Sequence, residues 1–129
     1  MGKSGRVLVL DDEKIVCDRL TEHFSKKGLE VEAFTDSQQA IDRIASQDFD
    51  VIITDLKMKG PTGMDVVHFV RRNRPGAELI VITGYASIDT AREAEYSGVY
   101  KFITKPFKMN NLAKSVMKAV HKAQTRKGR

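Results

Sequence analysis

Short apolar runs alternate along the chain with longer segments in which apolar residues recur at helical spacing. The apolar runs cover residues 7–10, 30–34, 51–54, 79–83 and 100–103. Each run has the length of a β-strand, and the segment that follows each run is long enough for a helix. This alternation predicts an α/β fold in which one parallel sheet carries helices on both faces.

The distribution of charge among the runs predicts the order of the strands. Residues 7–10, 51–54 and 79–83 are continuously apolar, as is typical of central strands that helices cover on both sides. Residues 30–34 and 100–103 contain glutamate or lysine, which suits the edges of a sheet. Of the common doubly wound arrangements, the order 2-1-3-4-5 places the second and fifth strands at the edges. We therefore expect a five-stranded parallel sheet in that order, doubly wound with five helices.

Polar residues mark the predicted starts of three helices. Asp36 or Ser37 can cap the second helix, Thr62 the third and Ser87 the fourth, because their side-chain oxygens can accept a hydrogen bond from the first turn. The spacing also predicts inward faces, which are Ile41, Ile44 and Ala45 in the second helix, Val66, Val67 and Val70 in the third, and Met109, Leu112, Ala113, Val116, Met117 and Val120 in the fifth.

The fourth helix has the smallest predicted apolar face. Between Ser87 and Ser97 its inward candidates are Ile88, Ala91 and Ala94. At about 25 cal/mol per Å² of buried apolar surface, so small a face contributes little stability. We expect this helix to be the most weakly held element of the fold.

The composition fits one domain in a reducing compartment. A chain of 129 residues can bury roughly 65–70% of the surface that its unfolded form exposes, and the single Cys17 has no partner for a disulfide. There is no run of about 18 apolar residues and no signal-peptide layout at the start. We expect a cytoplasmic domain over residues 6–123 with no membrane partner, preceded by a tail over residues 1–5 and followed over residues 124–129 by a basic tail or the start of a linker.

Charge is distributed unevenly along the chain. The net charge is +5, yet residues 98–129 contain nine basic and no acidic side chains. On the predicted last helix Lys114, Lys118 and Lys122 recur every four residues beside His121, so they share one face. Such a stripe can be a solvated face or a surface for nucleic acid or an acidic protein. A small basic binding module is therefore an alternative function, although no aromatic residues interleave with the stripe as they do in single-strand binders.

Carboxylates gather where a doubly wound sheet binds its ligands. Asp11, Asp12 and Glu13 follow the first predicted strand, and Asp55 follows the third. The carboxyl ends of these two strands border the point where the winding direction reverses, which is where ligands bind in such sheets. Carboxylates that converge there repel one another unless a cation neutralises them. The oxygen ligands suit Mg²⁺, which binds one or two carboxylates together with waters and phosphate oxygens.

A hydroxyl and an ammonium complete the group at the same edge of the sheet. Thr83 ends the fourth predicted strand, and Lys105 follows the fifth. A cation, an ammonium and a hydroxyl donor around a carboxylate supply what a transferring phosphoryl group needs on its oxygens. Thr83 alone could be a helix cap and Lys105 alone a surface lysine, but their joint placement indicates phosphoryl chemistry.

These residues, in this order and on these strand ends, resemble the receiver domain of two-component response regulators. The resemblance runs from about Arg6 to about Ala123, and it implies a flavodoxin-like receiver fold. The motifs that carry it are Asp11-Asp12, Asp55-Leu56-Lys57-Met58 with Gly60 and Gly63, Ile82-Thr83-Gly84, and Lys105-Pro106-Phe107.

The resemblance implies a role for each residue of the site. Asp55 is the phosphoacceptor, and Lys105 pairs with the phosphoryl group. Asp12, Asp55 and the backbone carbonyl of Lys57 bind Mg²⁺ directly, whereas Asp11 acts through water. It further implies a cis peptide bond between Lys105 and the proline that follows it.

The positions of Thr83 and Phe102 predict how the phosphoryl group is sensed. Thr83 can donate to the new phosphoryl oxygens, and Phe102 can swing into the space that Thr83 leaves, as an aromatic residue does in the receivers that this chain resembles. The weakly held fourth helix then shifts, which changes the face formed by the fourth helix, the fifth strand and the fifth helix. The residues expected on that face are Tyr96, Tyr100, Lys101 and Lys118. The alternative is that Phe102 is simply a packed core residue.

The sequence departs from the family pattern after Met58. Lys59 stands where receivers usually have proline, so this loop should be less stiff and carries an added positive charge. A second, weaker resemblance, over residues 83–91 and 100–107, is to receivers attached to enhancer-binding transcriptional activators.

The predicted function is a phosphorylation-activated switch. A histidine kinase or phosphotransfer protein is the expected donor, and an output domain or protein is the expected partner of the changing face, with a homodimer on phosphorylation as a further arrangement. The domain would not be an enzyme beyond catalysing its own phosphoryl transfer and autodephosphorylation. A phosphohydrolase of the haloacid dehalogenase kind is disfavoured, because it needs Asp-x-Asp after the first strand, where this chain has Asp11-Asp12-Glu13-Lys14 and no insertion long enough to cap a substrate.

Overall fold

A computed structural model describes residues 4–56, 60–84 and 88–128, the side chain of Ile88 excepted. Its parallel strands form one sheet in the order β2-β1-β3-β4-β5, which confirms the predicted topology. The strands are β1 Arg6–Leu10, β2 Glu30–Phe34, β3 Val51–Thr54, β4 Glu78–Thr83 and β5 Lys101–Thr104. The helices are α1 Lys14–Lys26, α2 Ser37–Ser46, α3 Gly63–Asn73, α4 Ile88–Tyr96 and α5 Met109–Arg126.

Two apolar layers hold the helices against the sheet. Side chains alternate between the two faces along a strand, so Val7 and Val9 of β1 pack with α1 and α5, while Leu8 and Leu10 pack with α2 and α3. All four of these side chains are fully buried. Burial on both faces explains why the central strands read as unbroken apolar runs. Each such side chain contributes roughly 1.5–3 kcal/mol of transfer free energy.

Strand β4 begins one residue earlier than the apolar pattern predicted, at Glu78. This carboxylate is buried, and its Oε2 lies 2.8 Å from Nη2 of Arg126 near the end of α5. Nζ of Lys122 lies 3.9 Å from the same oxygen. The pairing with cations from α5 allows a charged residue to extend a central strand, because a buried carboxylate is tolerated when it is paired.

A second charged group fixes the end of α5 to the same edge of the sheet. Nζ of Lys127 donates to Oδ2 of Asp48 at 3.0 Å and to the carbonyl oxygen of Phe49 at 2.8 Å. It also lies 3.4 Å from Oδ1 of the buried Asp50. Helix α5 continues through Arg126, into residues 124–129, which were expected to form a basic tail or the start of a linker.

The caps of two helices follow the sequence prediction. The side chain of Asp36, rather than that of Ser37, accepts the backbone N–H of Gln39 at 2.8 Å at the start of α2. Thr62 and Asp65 form a reciprocal capping box at the start of α3. Ser87, the predicted cap of α4, lies outside the described residues.

The predicted inward faces are right except at their margins. Val66, Val67 and Val70 of α3 are all buried. In α2, however, Ala40 is buried and Ala45 is exposed, and in α5 Met117 is 39% exposed. Residues at the border of the apolar face of a helix lie to the side of the sheet. The helical period of 3.6 residues therefore does not determine whether they are buried.

The described side chains of α4 bury little apolar surface, as predicted, and the side chain of Ile88 lies outside the described residues. Ala94 is buried and Ala91 is partly exposed, while the exposed Tyr96 ends the helix at 94% exposure. Among the α4 side chains that the structure describes, Ala94 alone is buried.

Two further findings concern the rest of the described chain. None of its helices is both long enough and apolar enough to cross a bilayer.

Cys17 is buried, and its thiol donates to the carbonyl oxygen of Asp11 at 3.3 Å. Burial raises the pKa of this thiol, and the charge of Asp11 adds to the effect, so it stays in its unreactive protonated form at neutral pH.

Candidate functional site

Backbone hydrogen bonds place two carboxylates at the predicted switch point. Asp11 follows β1 directly, and its N–H donates to the carbonyl oxygen of Phe34 at 3.1 Å. Asp55 follows β3, and its N–H donates to the carbonyl oxygen of Leu10 at 3.0 Å. The parallel hydrogen-bonding pattern thus continues one residue past each strand and brings the two acidic residues together at the carboxyl edge of the sheet.

Lys105 follows β5, and its side chain contacts both of these carboxylates. Its Nζ donates to Oδ2 of Asp11 at 2.8 Å, to Oδ2 of Asp55 at 2.9 Å and to Oε2 of Glu13 at 3.1 Å. Its backbone N–H donates to the carbonyl oxygen of Thr83 at 2.8 Å, which fixes it beside the end of β4. The peptide bond between Lys105 and the following proline is cis, as the family resemblance implies.

Burial and ion pairing oppose each other at this site. Asp11 is fully buried, and burial raises the pKa of its carboxyl above its ordinary value, although hydrogen bonds from Lys105 and from the N–H of Glu13 partly offset this. Burial alone would lower the pKa of the Lys105 ammonium, but hydrogen bonds to Asp11, Asp55 and Glu13 raise it overall. Lys105 is therefore a permanent cation at neutral pH.

Three of the carboxylates could hold a metal ion. Asp11, Asp12 and Asp55 each offer one oxygen, and these oxygens lie within 4.8 Å of one another. Asp12 is exposed, whereas the other two are buried. An all-oxygen donor set open to water on one side fits Mg²⁺, which keeps several of its waters when bound. Lys57, whose carbonyl was expected to complete this set, lies outside the described residues, as does Lys59.

The two expected switch residues lie on neighbouring strands. Thr83 is fully buried at the end of β4 and pairs in register with Thr104. Phe102 pairs with Val81 and packs, partly buried, against the same apolar layer as Val81. Because Thr83 lies two residues after Val81, its side chain is on the same face of the sheet as Phe102.

One residue at the site had no predicted role. The sequence places Glu13 among the acids that follow β1, but its contact with Lys105 joins residues far apart in the chain. The sequence feature that could have indicated this role is that Glu13 is the third consecutive acidic residue after β1, at the edge of the sheet where ligands bind.

The surface formed by α4, β5 and α5 carries the residues expected there. Tyr96, Lys101 and Lys118 are exposed. Tyr100 is half-buried, and Nζ of Lys122 lies 5.2 Å from the centre of its ring. Lys122 thus contacts an aromatic ring and the buried carboxylate at the start of β4, so it is not simply one member of a solvated stripe.

Relatives with curated descriptions match most of this chain. The response regulator protein PilR of Pseudomonas aeruginosa is 28% identical over 115 residues, which are 89% of this chain and 26% of that protein. The luminescence regulatory protein LuxO of Vibrio campbellii is 30% identical over 115 residues, which are 89% of this chain and 25% of that protein. This chain therefore spans about a quarter of the length of these two relatives.

Solved structures share the fold. A CheY-like response regulator receiver domain protein from Methanospirillum hungatei superposes with a TM-score of 0.92 at 22% identity, covering 96% of this chain and 99% of that one. The beryllofluoride-activated NtrC4 receiver domain, solved as a dimer, has a TM-score of 0.85 at 31% identity and covers 92% of this chain and 98% of that one.

The family itself is identified from the sequence. The profile of the response regulator receiver domain matches residues 7–117. This match covers all of the sheet except Arg6, the first residue of β1, and it includes each of the described side chains that meet at Lys105. The chain belongs to the response regulator receiver domain family of two-component systems.

Proposed function

We propose that this receiver domain takes a phosphoryl group from the phosphohistidine of a histidine kinase or phosphotransfer protein onto Asp55, and later loses it to water. The observation that carries the proposal is the ammonium of Lys105, which joins Oδ2 of Asp55 and Oδ2 of Asp11 at 2.9 and 2.8 Å at the switch point of the sheet. A cation held against a largely buried carboxylate provides the charge stabilisation that phosphoryl transfer requires. The proposed donor and the single cysteine both suit a cytoplasmic domain.

The transfer converts one phosphorus bond into another. A carboxylate oxygen of Asp55 bonds to phosphorus while the bond between phosphorus and the histidine nitrogen breaks, and the imidazole leaves with that electron pair. The signal ends by hydrolysis. Water attacks phosphorus, the bond between phosphorus and the Asp55 oxygen breaks, and the products are the Asp55 carboxylate and inorganic phosphate. Lys105 stabilises the negative charge on the phosphoryl oxygens in both steps. A carboxylate is a good leaving group, so the modification is transient.

The acidic cluster is suited to a magnesium ion beside the acceptor. We infer that Asp12, Asp55 and the backbone carbonyl of Lys57 hold it directly, with Asp11 acting through water. When bound, Mg²⁺ neutralises charge on the phosphoryl oxygens. The indirect role of Asp11 is supported by its hydrogen bonds, because Oδ1 accepts the N–H of Glu13 at 2.9 Å and Oδ2 accepts Lys105 at 2.8 Å.

The proposal is tested by metal-dependent phosphorylation. With acetyl phosphate and Mg²⁺, the intact mass of the protein should increase by one phosphoryl group, and a chelator should prevent this. Asp12→Ala should weaken Mg²⁺ binding more than Asp11→Ala, since one ligand is direct and the other acts through water. A metal titration monitored by NMR of the two variants measures the difference. Equal Mg²⁺ affinities would contradict this division of roles, and phosphorylation without any divalent ion would contradict the metal site.

The effect of phosphorylation at Asp55 must reach the α4–β5–α5 face through a part of the protein that has two conformations. The phosphoryl group adds about −1.5 to −2 charges, which solvent screens over distances of about 10 Å. We infer that Thr83 moves toward the phosphoryl oxygens and Phe102 fills the space behind it. Both side chains lie on one face of the sheet, and the described side chains of α4, the adjoining helix, bury little apolar surface that would resist a shift. The surface that includes Tyr96 and Lys101 would then change its shape, and an output domain, a protein partner or a second copy of the chain would bind the changed surface.

Removal of the Thr83 hydroxyl should uncouple the two events. Thr83→Ala is expected to leave Asp55 phosphorylation nearly intact while suppressing the change at the α4–β5–α5 face. Amide hydrogen exchange over residues 84–104, measured with and without beryllofluoride as a phosphoryl mimic, gives the size of that change. A full shift from 1:99 to 99:1 would require about 5.5 kcal/mol of preference for the active state. An equal response in wild type and Thr83→Ala would contradict the proposed coupling.

A further inference from the structure

The ammonium of Lys105 has no hydrogen-bond donor left for an additional acceptor. An ammonium carries three N–H donors, and three carboxylate oxygens accept from Lys105, at 2.8 Å from Asp11, 2.9 Å from Asp55 and 3.1 Å from Glu13. The oxygens of an incoming phosphodonor need this cation while Asp55 is still a carboxylate. One of the three contacts must therefore break before the transfer takes place.

The three contacts differ in what their loss would cost. The side chain of Asp11 is 0% exposed and that of Asp55 is 9% exposed, whereas that of Glu13 is 58% exposed. A buried carboxylate that loses its partner keeps its desolvation penalty, while an exposed one is hydrated by water. The contact between Glu13 and Lys105 is therefore the one that breaks most easily.

The backbone of Glu13 is fixed although its side chain is not part of the helix cap. Its N–H donates to Oδ1 of Asp11 at 2.9 Å, and its carbonyl oxygen accepts the N–H of Val16 at 3.0 Å. Glu13 is the N-cap residue of α1, yet its side chain makes no capping hydrogen bond. The side chains of Asp36 and Thr62 do cap α2 and α3. At α1 the N-cap side chain extends to Lys105 instead, at 3.1 Å.

We propose that Glu13 is a positioning residue that holds the Lys105 ammonium in the unphosphorylated protein and releases it to the phosphoryl group. This inference rests on the proposed function. Glu13 competes with the incoming phosphoryl oxygens for one N–H of Lys105, and its negative charge opposes an anionic phosphodonor at the mouth of the site. It thereby slows phosphorylation of Asp55 by small donors.

Glu13→Gln tests this role against a matched control. Glu22→Gln makes the same charge change on α1, where Glu22 is 76% exposed and pairs with Lys26 instead of the site. At saturating Mg²⁺, Glu13→Gln should be phosphorylated by acetyl phosphate about two- to fivefold faster than wild type, the factor that corresponds to an exposed ion pair of up to about 1 kcal/mol. Glu22→Gln should match wild type, and rates are followed by intact mass.

A second measurement needs no phosphorylation. The ¹⁵Nζ resonance of Lys105 in the unmodified protein should shift in Glu13→Gln and stay in place in Glu22→Gln. Thermal unfolding establishes that both variants are folded. An unchanged Lys105 resonance, or a rate in Glu13→Gln that is equal to or below that of wild type, would overturn the role of Glu13. Absence of phosphorylation in the wild type would instead overturn both this role and the proposed function.

Discussion

Asp55→Asn is expected to abolish phosphorylation by acetyl phosphate, with a loss of rate on the order of a thousandfold or more, as when an enzyme loses its nucleophile. The amide of asparagine is a far weaker nucleophile than a carboxylate. The change should leave the fold intact, because Lys105 retains its hydrogen bonds to Asp11 and Glu13. Intact mass after incubation with acetyl phosphate and Mg²⁺ measures the effect.

An aspartate outside the site provides the control for this substitution. Asp18 is exposed on α1 and accepts from Nζ of Lys14 at 2.9 Å, so Asp18→Asn makes the same chemical change away from Lys105. It should be phosphorylated at the wild-type rate. Retention of a stable phosphoryl group at a normal rate in Asp55→Asn would show that another residue is the acceptor.

The order of the strands could be predicted from the sequence because central strands, buried on both faces, exclude charged residues, whereas edge strands tolerate them. The three continuously apolar runs are the central strands, and the runs with Glu30 and Lys101 are the edges. The start of β4 was not readable in the same way. Glu78 lies outside the apolar run 79–83, yet it is the first residue of β4, and its carboxylate lies 2.8 Å from the guanidinium of Arg126. A pairing between residues so far apart leaves no trace in local periodicity.

The site was predictable to the extent that strand ends determine it. Asp11, Asp55 and Lys105 each follow a strand directly, so topology alone brings them to one edge of the sheet. The contact of Lys105 with Glu13 depends on a side-chain conformation, and topology does not specify that. The pairing of Lys127 with Asp48 at the opposite edge of the sheet was not predicted for the same reason, because residues 124–129 were expected to form a basic tail or the start of a linker.

A glycine determines how closely α3 approaches the acceptor. Gly63 is the first residue of α3, and its N–H donates to the carbonyl oxygen of Leu56 at 3.0 Å. A Cβ at this position would lie 2.5 Å from Cα of Leu56 and closer still to the carbonyl oxygen of Asp55. These are backbone atoms, so no change of rotamer can relieve the overlap. The sequence requires glycine here for close approach, because its φ is not in the left-handed region.

Gly63→Ala is therefore expected to destabilise the domain by about 3 kcal/mol or more, at the upper end of overpacking costs. The better helix propensity of alanine offsets at most about 1 kcal/mol of this. Because the overlap pushes on Asp55 itself, the rate of phosphorylation should also fall. Urea unfolding measures the stability change, and intact mass after acetyl phosphate measures the rate.

Gly84→Ala supplies the comparison, since it adds the same methyl group at the same edge of the sheet. The Cβ it introduces would lie 3.8 Å from Cβ of Lys105, which is an ordinary contact, and the φ of Gly84 is also outside the left-handed region. Its effect on unfolding should stay within about 1 kcal/mol and be stabilising in sign, because alanine reduces the entropy of the unfolded chain. If Gly63→Ala is as stable as Gly84→Ala, then α3 can move away from Asp55 at little cost, and the close approach of Gly63 does not position the acceptor.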